Sequence, residues 1–87
     1  MSIAATLSEE QIKQIVFKHL RQIAPEADPA SLPNDVDVRE TLDIDSFDFL
    51  NFLMGLNEDI AVEIPEKDYG KLSSIDDIVH YLAAAVR

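Results

Sequence analysis

The chain has 87 residues, of which 47% are hydrophobic, and it carries 17 acidic residues against 7 basic ones, for a net charge of −10. This length and composition predict one globular domain over residues 1–87 and exclude a disordered chain. The negative charge argues against binding to nucleic acids or anionic lipids and favours partners with basic patches. The absence of cysteine excludes disulfides, thiolate metal sites and a cysteine nucleophile.

The sequence contains no segment typical of membrane insertion. No stretch approaches eighteen consecutive apolar residues, which a membrane-spanning helix requires. The first residues do not place a basic segment before an apolar run, as a secretory signal would. We therefore expect no membrane span and a cytoplasmic location.

The first predicted helix covers residues 8–24. Ser8 and Gln11 have the spacing of a capping box, which marks the start of a helix. One face of this helix is apolar at helical spacing and consists of Ile12, Ile15, Val16, Leu20 and Ile23. Phe17 lies off this face and is expected to be partly exposed. His19 is interpreted as an ordinary surface or boundary residue rather than as a ligand.

Residues 25–44 form a long connection that contains three prolines. Structureless connections of this length are uncommon in small domains, but apolar residues at intervals can pin this one onto the helices. These residues are Val36, Val38, Leu42 and Ile44. The aspartates suggest a calcium loop, but a loop starting at Asp43 would place Asp48 where glycine is required and Met54 where glutamate is required. We therefore predict no metal site.

The next predicted helix covers residues 46–60. Asp45 and Asp48 have the spacing of a capping box, so Ser46 falls on the first helical residue. A phosphate on a hydroxyl there would meet unpaired backbone N–H groups and the positive end of the helix dipole. The alternative is that Ser46 is only a helix-start residue.

This helix carries two apolar faces. The first has the spacing of a core face and consists of Phe49, Phe52, Leu53, Leu56 and Ile60. The second lies nearly opposite and borders Ser46. It consists of Phe47, Leu50 and Met54. Because a chain this small has no second core, we predict that this second face is an exposed docking surface. The alternative is that a loop folds over it.

Acidic residues are concentrated around Ser46. From Asp43 to Asp68 the chain has eight acids and one base, Lys67, whereas three bases lie on the first helix. An acidic surface favours solubility in any protein. Its coincidence with the serine favours the steering of enzymes to this site.

Two shorter elements are predicted after this helix. Residues 66–71 form one or two helical turns, limited by Gly70, and residues 75–86 form the last helix. Ser74 and Asp77 again have the spacing of a helix start. The apolar face of the last helix consists of Ile75, Ile78, Val79, Leu82 and Val86.

Hydrolytic chemistry is not predicted. Ser46 lacks the G-x-S-x-G pattern of a nucleophile elbow, and no strand precedes it. No motif places His19 or His80 beside the serine, and no nucleotide-binding or zinc spacing is present.

Three segments in register resemble the acyl carrier proteins. They are Asp45-Ser46-Phe47-Asp48, Glu63-Ile64-Pro65-Glu66 and Leu72-Ser73-Ser74-Ile75, and the similarity extends from about Ser8 to Val86. The resemblance implies an all-α four-helix bundle with a long first loop and a short third helix. It also implies that a phosphopantetheinyl transferase attaches 4′-phosphopantetheine from coenzyme A to Ser46. Such a protein is a carrier of acyl thioesters and not an enzyme.

The resemblance also implies roles for residues near Ser46, with Asp45 flanking it as the helix cap. Acyl-transferring or condensing enzymes with basic patches would dock on Phe47, Asp48, Leu50, Met54, Glu58 and Asp59. An acyl chain tucked into the bundle would approach Leu56, Ile64, Tyr69 and Leu72. Relatives often have a small residue at the place of Tyr69, so we expect limited room for long chains. The carrier is expected to be a monomer.

Three positions depart from the family pattern. Asp43 stands where glycine is common, Phe47 replaces a leucine or methionine, and Asn51 stands where carriers of primary fatty acid synthesis often have glutamate. These changes favour a specialised carrier in fatty acid, lipid or polyketide-type biosynthesis. Two alternatives stay open: an aminoacyl or peptidyl carrier, and an unmodified acidic helical adaptor that binds a partner through the same apolar face.

Overall fold

The computed structural model describes residues 8–86, and every regular element within that range is helical. In chain order the elements are α1 (Glu9–Ile23), a 3₁₀ turn (Pro29–Ser31), α2 (Val38–Thr41), α3 (Ser46–Ile60), a 3₁₀ segment (Glu66–Lys71) and α4 (Ile75–Ala85). The predicted all-α fold with a long first loop and a short third helix is confirmed. Among the described residues, no helix has the length and apolar content needed to cross a bilayer.

Side-chain caps fix where α1 and α4 begin. Ser8 Oγ accepts a hydrogen bond from the Gln11 N–H at 3.1 Å, and Gln11 Oε1 accepts one from the Ser8 N–H at 2.8 Å. Ser74 and Asp77 form the same reciprocal pair at α4. A cap of this kind stabilises a helix by about 1 kcal/mol. The helix α1 therefore begins one residue later than predicted, because Ser8 is its cap.

The core lies around α1, which packs against both α3 and α4. The predicted core faces of the three helices are largely buried, and Ile15, Ile23 and Val86 are partly buried at the edge. The prediction that Phe17 is partly exposed is wrong, because its side chain is only 5% exposed and belongs to the core. A helix with neighbours on two sides buries a wider sector than the single stripe that periodicity identifies.

The long connection is held to the rest of the molecule by backbone bonds and apolar contacts. The Val38 N–H donates to the Ser73 carbonyl at 2.9 Å, and the Asp76 N–H donates to the Asn34 carbonyl at 3.1 Å. Val38 and Ile44 are buried, Leu42 packs against the core, and Val36 is half-buried. The connection therefore has a fixed path, and it includes α2 and a 3₁₀ turn that the sequence did not predict.

A polar contact joins α1 to α3. His19 Nε2 lies 2.7 Å from Asp59 Oδ2, and Lys18 Nζ lies 2.9 Å from the same oxygen. The imidazole packs over Gly55, where a Cβ would lie 2.6 Å from His19 Nδ1. His19 is therefore buried, and its interpretation as an ordinary surface or boundary residue is wrong. The hydrogen bond from Lys18, followed by the smaller contribution of the hydrogen bond from His19, holds the pKa of Asp59 below its ordinary value of 3.8.

A second polar contact ties the 3₁₀ segment Glu66–Lys71 to α4. Tyr81 Oη donates to Asp68 Oδ2 at 2.7 Å, and Lys71 Nζ lies 3.3 Å from Asp68 Oδ1. The hydrogen bond from Tyr81 lowers the pKa of Asp68, and the carboxylate in turn raises the pKa of Tyr81. The short third element is therefore anchored, although none of its residues is fully buried.

Replacement of Gly55 by alanine tests the packing of His19 on α3. Alanine is a better helix former by about 1 kcal/mol, but overpacking costs about 1–3 kcal/mol, so we expect a net loss of stability for Gly55→Ala. The measurement is urea unfolding. Gly70→Ala is the control, because a Cβ there meets no atom within 4 Å, and it should not destabilise. A Gly55→Ala variant as stable as the native protein would contradict this packing.

The substitution Asp59→Asn tests the contact between α1 and α3 through its pH dependence. Because the pKa of Asp59 is depressed on folding, its stabilisation is present above the unfolded-state pKa and is lost as pH falls through the folded-state pKa. The carboxylate is partly exposed, so we expect a loss below about 1 kcal/mol near neutral pH. The stabilities of the two proteins should converge as the pH falls through the folded-state pKa of Asp59. A difference in the free energy of unfolding that does not shrink as the pH falls would show that Asp59→Asn changes stability by a mechanism other than loss of the carboxylate charge.

Candidate functional site

Ser46 is the first residue of α3 and is exposed. Asp45 is the N-cap, and its Oδ1 accepts a hydrogen bond from the Asp48 N–H at 2.8 Å, which is one of the two bonds of a capping box. The Phe49 N–H bonds to the Asp45 carbonyl at 3.0 Å. Helix geometry leaves the N–H groups of Ser46 and Phe47 without an intrahelical partner. The serine hydroxyl therefore lies at the positive end of a helix dipole.

The backbone before Ser46 makes a tight turn out of α2. The Ile44 N–H donates to the Arg39 carbonyl at 2.9 Å, and Ile44 is buried below the turn. Asp43 has φ 55°, in the left-handed region that favours glycine. A glycine at this place would adopt the same conformation without strain, and aspartate is among the residues that tolerate it best. The sequence departure at Asp43 therefore keeps the turn.

Arg39 contacts the serine hydroxyl and was missed by the sequence analysis. Its Nη2 donates to Ser46 Oγ at 3.1 Å, and its guanidinium carbon lies 5.0 Å from the centre of the Phe49 ring. The backbone N–H of Arg39 is bound by the Asp37 carboxylate at 2.9 Å, which caps α2. One signal for this residue was present in the sequence, because Arg39 is the only lysine or arginine between Arg21 and Lys67.

The second apolar face of α3 is exposed. Phe47 is 64% exposed, Leu50 42% and Met54 54%, whereas the opposite face of the helix is buried. These three residues, here called the exposed strip, extend along α3 from the position next to Ser46. Large apolar groups that are exposed together in this way are typical of a binding surface.

The acidic residues predicted to surround the exposed strip differ in their environment. Glu58 is exposed and Asp48 is half-buried at the first turn of α3. The carboxylate of Asp59 is paired with Lys18 and His19 on α1. The partner-binding role of these acids stays a prediction. To contact a partner, the carboxylate of Asp59 would have to accept a further bond while it binds Lys18 and His19, or release one of them.

A groove of about 200 Å³ lies beside the exposed strip. It is lined by Leu53, Met54, Asn57, Glu58, Glu63, Ile64 and Tyr69. Two of the four predicted acyl-pocket residues, Ile64 and Tyr69, therefore line the same groove. The other two, Leu56 and Leu72, are almost completely buried in the core and do not line it. Access of an acyl chain to these two residues would require the core to open.

Several curated proteins resemble the chain over most of its length. An acyl carrier protein of Campylobacter concisus (strain 13826) is 36% identical over 70 residues, which cover 77% of this chain and 91% of the relative. One of Campylobacter fetus subsp. fetus (strain 82-40) is 34% identical over 73 residues, covering 84% and 88%. One of Helicobacter hepaticus (strain ATCC 51449 / 3B1) is 32% identical over 75 residues, covering 86% and 92%. No family model matches the chain.

The helical architecture of the described residues is consistent with a bundle of the acyl carrier type. The matched region covers nearly the full length of each relative, so the similarity concerns a whole domain and not a single motif. The chain belongs to the acyl carrier protein family and is a carrier rather than an enzyme.

Proposed function

We propose that this carrier holds acyl groups on 4′-phosphopantetheine attached to Ser46 Oγ. Acyl carrier proteins generally carry this group. When bound, it supplies a terminal thiol on which acyl groups are held as thioesters. The chain has no cysteine, so the thiol has to come from such a group. The attachment would be made by a phosphopantetheinyl transferase that uses coenzyme A.

The observation that carries this proposal is the exposed hydroxyl of Ser46 at the start of α3. A transferase can reach the oxygen without unfolding the domain, because Ser46 is exposed and the buried residues of α3 begin only at Phe49. The N–H groups of Ser46 and Phe47 and the helix dipole suit a phosphodiester at this point. Asp45 holds the first turn through its bond to the Asp48 N–H. The residues present therefore fit the group.

The exposed strip would be the docking surface for enzymes that act on the acyl group. Transient complexes bury small areas, and a few apolar anchors with a charged rim provide affinity without slow release. The acids near the strip would steer enzymes whose entrance is basic. A cytoplasmic location and a monomeric state stay predictions.

We further propose a specialised role within acyl metabolism. Asn51 is exposed on α3 and adds no charge where glutamate is often found, and the bulky Phe47 is 64% exposed beside the serine. Both changes alter the surface that a partner meets and leave Ser46 unchanged. The small groove beside the strip, together with Tyr69, supports limited room for long chains.

Attachment to Ser46 is tested by mass spectrometry after incubation with coenzyme A and a phosphopantetheinyl transferase. We expect one adduct on the native chain and none on Ser46→Ala, because the hydroxyl is the attachment point. Ser73→Ala is the matched control and should still gain one adduct. A native chain that gains no adduct would instead support the unmodified adaptor.

The specialised role is tested in a reconstituted fatty acid synthase that normally uses the general carrier. We expect the loaded native chain to support slow product formation, and Asn51→Glu to speed it about two- to fivefold by restoring one acid to the rim. Leu50→Asp should slow it further, since it removes an apolar anchor. Ala84→Asp adds the same charge on α4 and should change nothing. A native chain that replaces the general carrier at full rate would refute specialisation.

A further inference from the structure

Arg39 lies beside the proposed attachment point, where its backbone is held and its exposed side chain reaches Ser46 Oγ. It lies in α2, whose start is capped by Asp37 and whose first residue, Val38, donates its N–H to the Ser73 carbonyl. The guanidinium packs over the Phe49 ring, with 5.0 Å between its carbon and the ring centre. Phe49 itself is buried, so the ring is a rigid support.

The charge of Arg39 has no carboxylate partner in the described part of the chain. The ion pairs among residues 8–86 involve the bases Lys18, His19, Lys71 and His80. The side-chain hydrogen bond of Arg39 goes to Ser46 Oγ at 3.1 Å. A guanidinium has five N–H donors, so further donors remain for a second acceptor.

We propose that Arg39 binds the phosphodiester carried by Ser46, which rests on the function proposed above. The two non-bridging oxygens of a phosphodiester lie next to the ester oxygen, so a donor that already reaches Ser46 Oγ lies close to them. They carry negative charge, which makes them stronger acceptors than a neutral hydroxyl. The planar fork of a guanidinium matches two such oxygens.

This contact gives Arg39 a positioning role at the phosphate end of the phosphopantetheine group. The phosphodiester would be held between α2 and the first turn of α3, on the side of the Phe49 ring. The single positive charge would offset the new negative charge among Asp43, Asp45 and Asp48, where repulsion otherwise opposes it. The rest of the phosphopantetheine group, beyond the phosphate, would stay free to move.

The test is a thermodynamic cycle between the modification and the substitution Arg39→Gln. Urea unfolding is measured for the native chain and for Arg39→Gln, each with and without the phosphopantetheine group. We expect the group to raise the folding equilibrium constant about fivefold more in the native chain than in the variant, a coupling of roughly 1 kcal/mol. Arg21→Gln, the same charge change at an exposed place on α1, should show no coupling.

The second readout is the ³¹P chemical shift of the attached group, which a purely structural role of Arg39 would not change. We expect the shift to differ between the native chain and Arg39→Gln, and Arg21→Gln to match the native value. Arg39→Lys keeps the charge but loses the fork, so it should give a smaller coupling and remains informative if the glutamine variant does not fold.

The outcomes distinguish this inference from the proposed function. An adduct on Ser46 without coupling and without a ³¹P difference would overturn the role of Arg39 and leave the attachment intact. No adduct on the native chain would overturn the attachment itself. Coupling together with a ³¹P difference supports Arg39 as a ligand of the phosphodiester.

Discussion

Burial of one face of α3 is the constraint on which the rest of the structure depends. A chain of 87 residues has one core, and α1 lies at its centre, in contact with α3 and α4. Once Phe49, Phe52 and Leu56 are buried in that core, the rotation of α3 is fixed and the exposed strip faces solvent. Apolar area left exposed lacks the stabilisation of about 25 cal/mol per Å² that burial would give. A partner that covered the strip would recover only part of this free energy, because association has its own entropic cost. The same packing that stabilises the domain therefore exposes the surface that we propose for docking.

Directional bonds reinforce this rotation. Asp59 binds two donors from α1, the helix that carries three of the seven lysines and arginines. The contact depends on Gly55, because any larger side chain at that position would collide with the His19 ring. One glycine within α3 thus allows a buried imidazole to lie between two helices, and α3 is attached to α1 by polar contacts as well as apolar ones. These polar contacts lie near the end of α3, so the exposed residues beside Ser46, such as Phe47 and Leu50, are not part of them.

The sequence predicted what local spacing determines. The capping residues Ser8 and Ser74, the start of α3 and its buried face all follow from patterns within a few residues, and each is present in the structure. Contacts between distant segments could not be predicted this way. His19 and Asp59 are 40 residues apart in sequence, and their bond depends on how α1 crosses α3. The approach of Arg39 to Ser46 depends on the path of the long connection, which periodicity does not describe.

The connection before α3 also sets the electrostatics at Ser46. Asp43 keeps the left-handed turn that a glycine would make, so the backbone path is retained while a carboxylate is added near the site. Three aspartates then surround the start of α3, and their repulsion opposes the helix dipole as a site for negative charge. Arg39 comes from the same connection and places a positive charge at the hydroxyl itself, with its Nη2 3.1 Å from Ser46 Oγ, which counters this repulsion. The residues of α2 and the turn that follows it therefore contribute to the electrostatics at Ser46 together with the helix dipole.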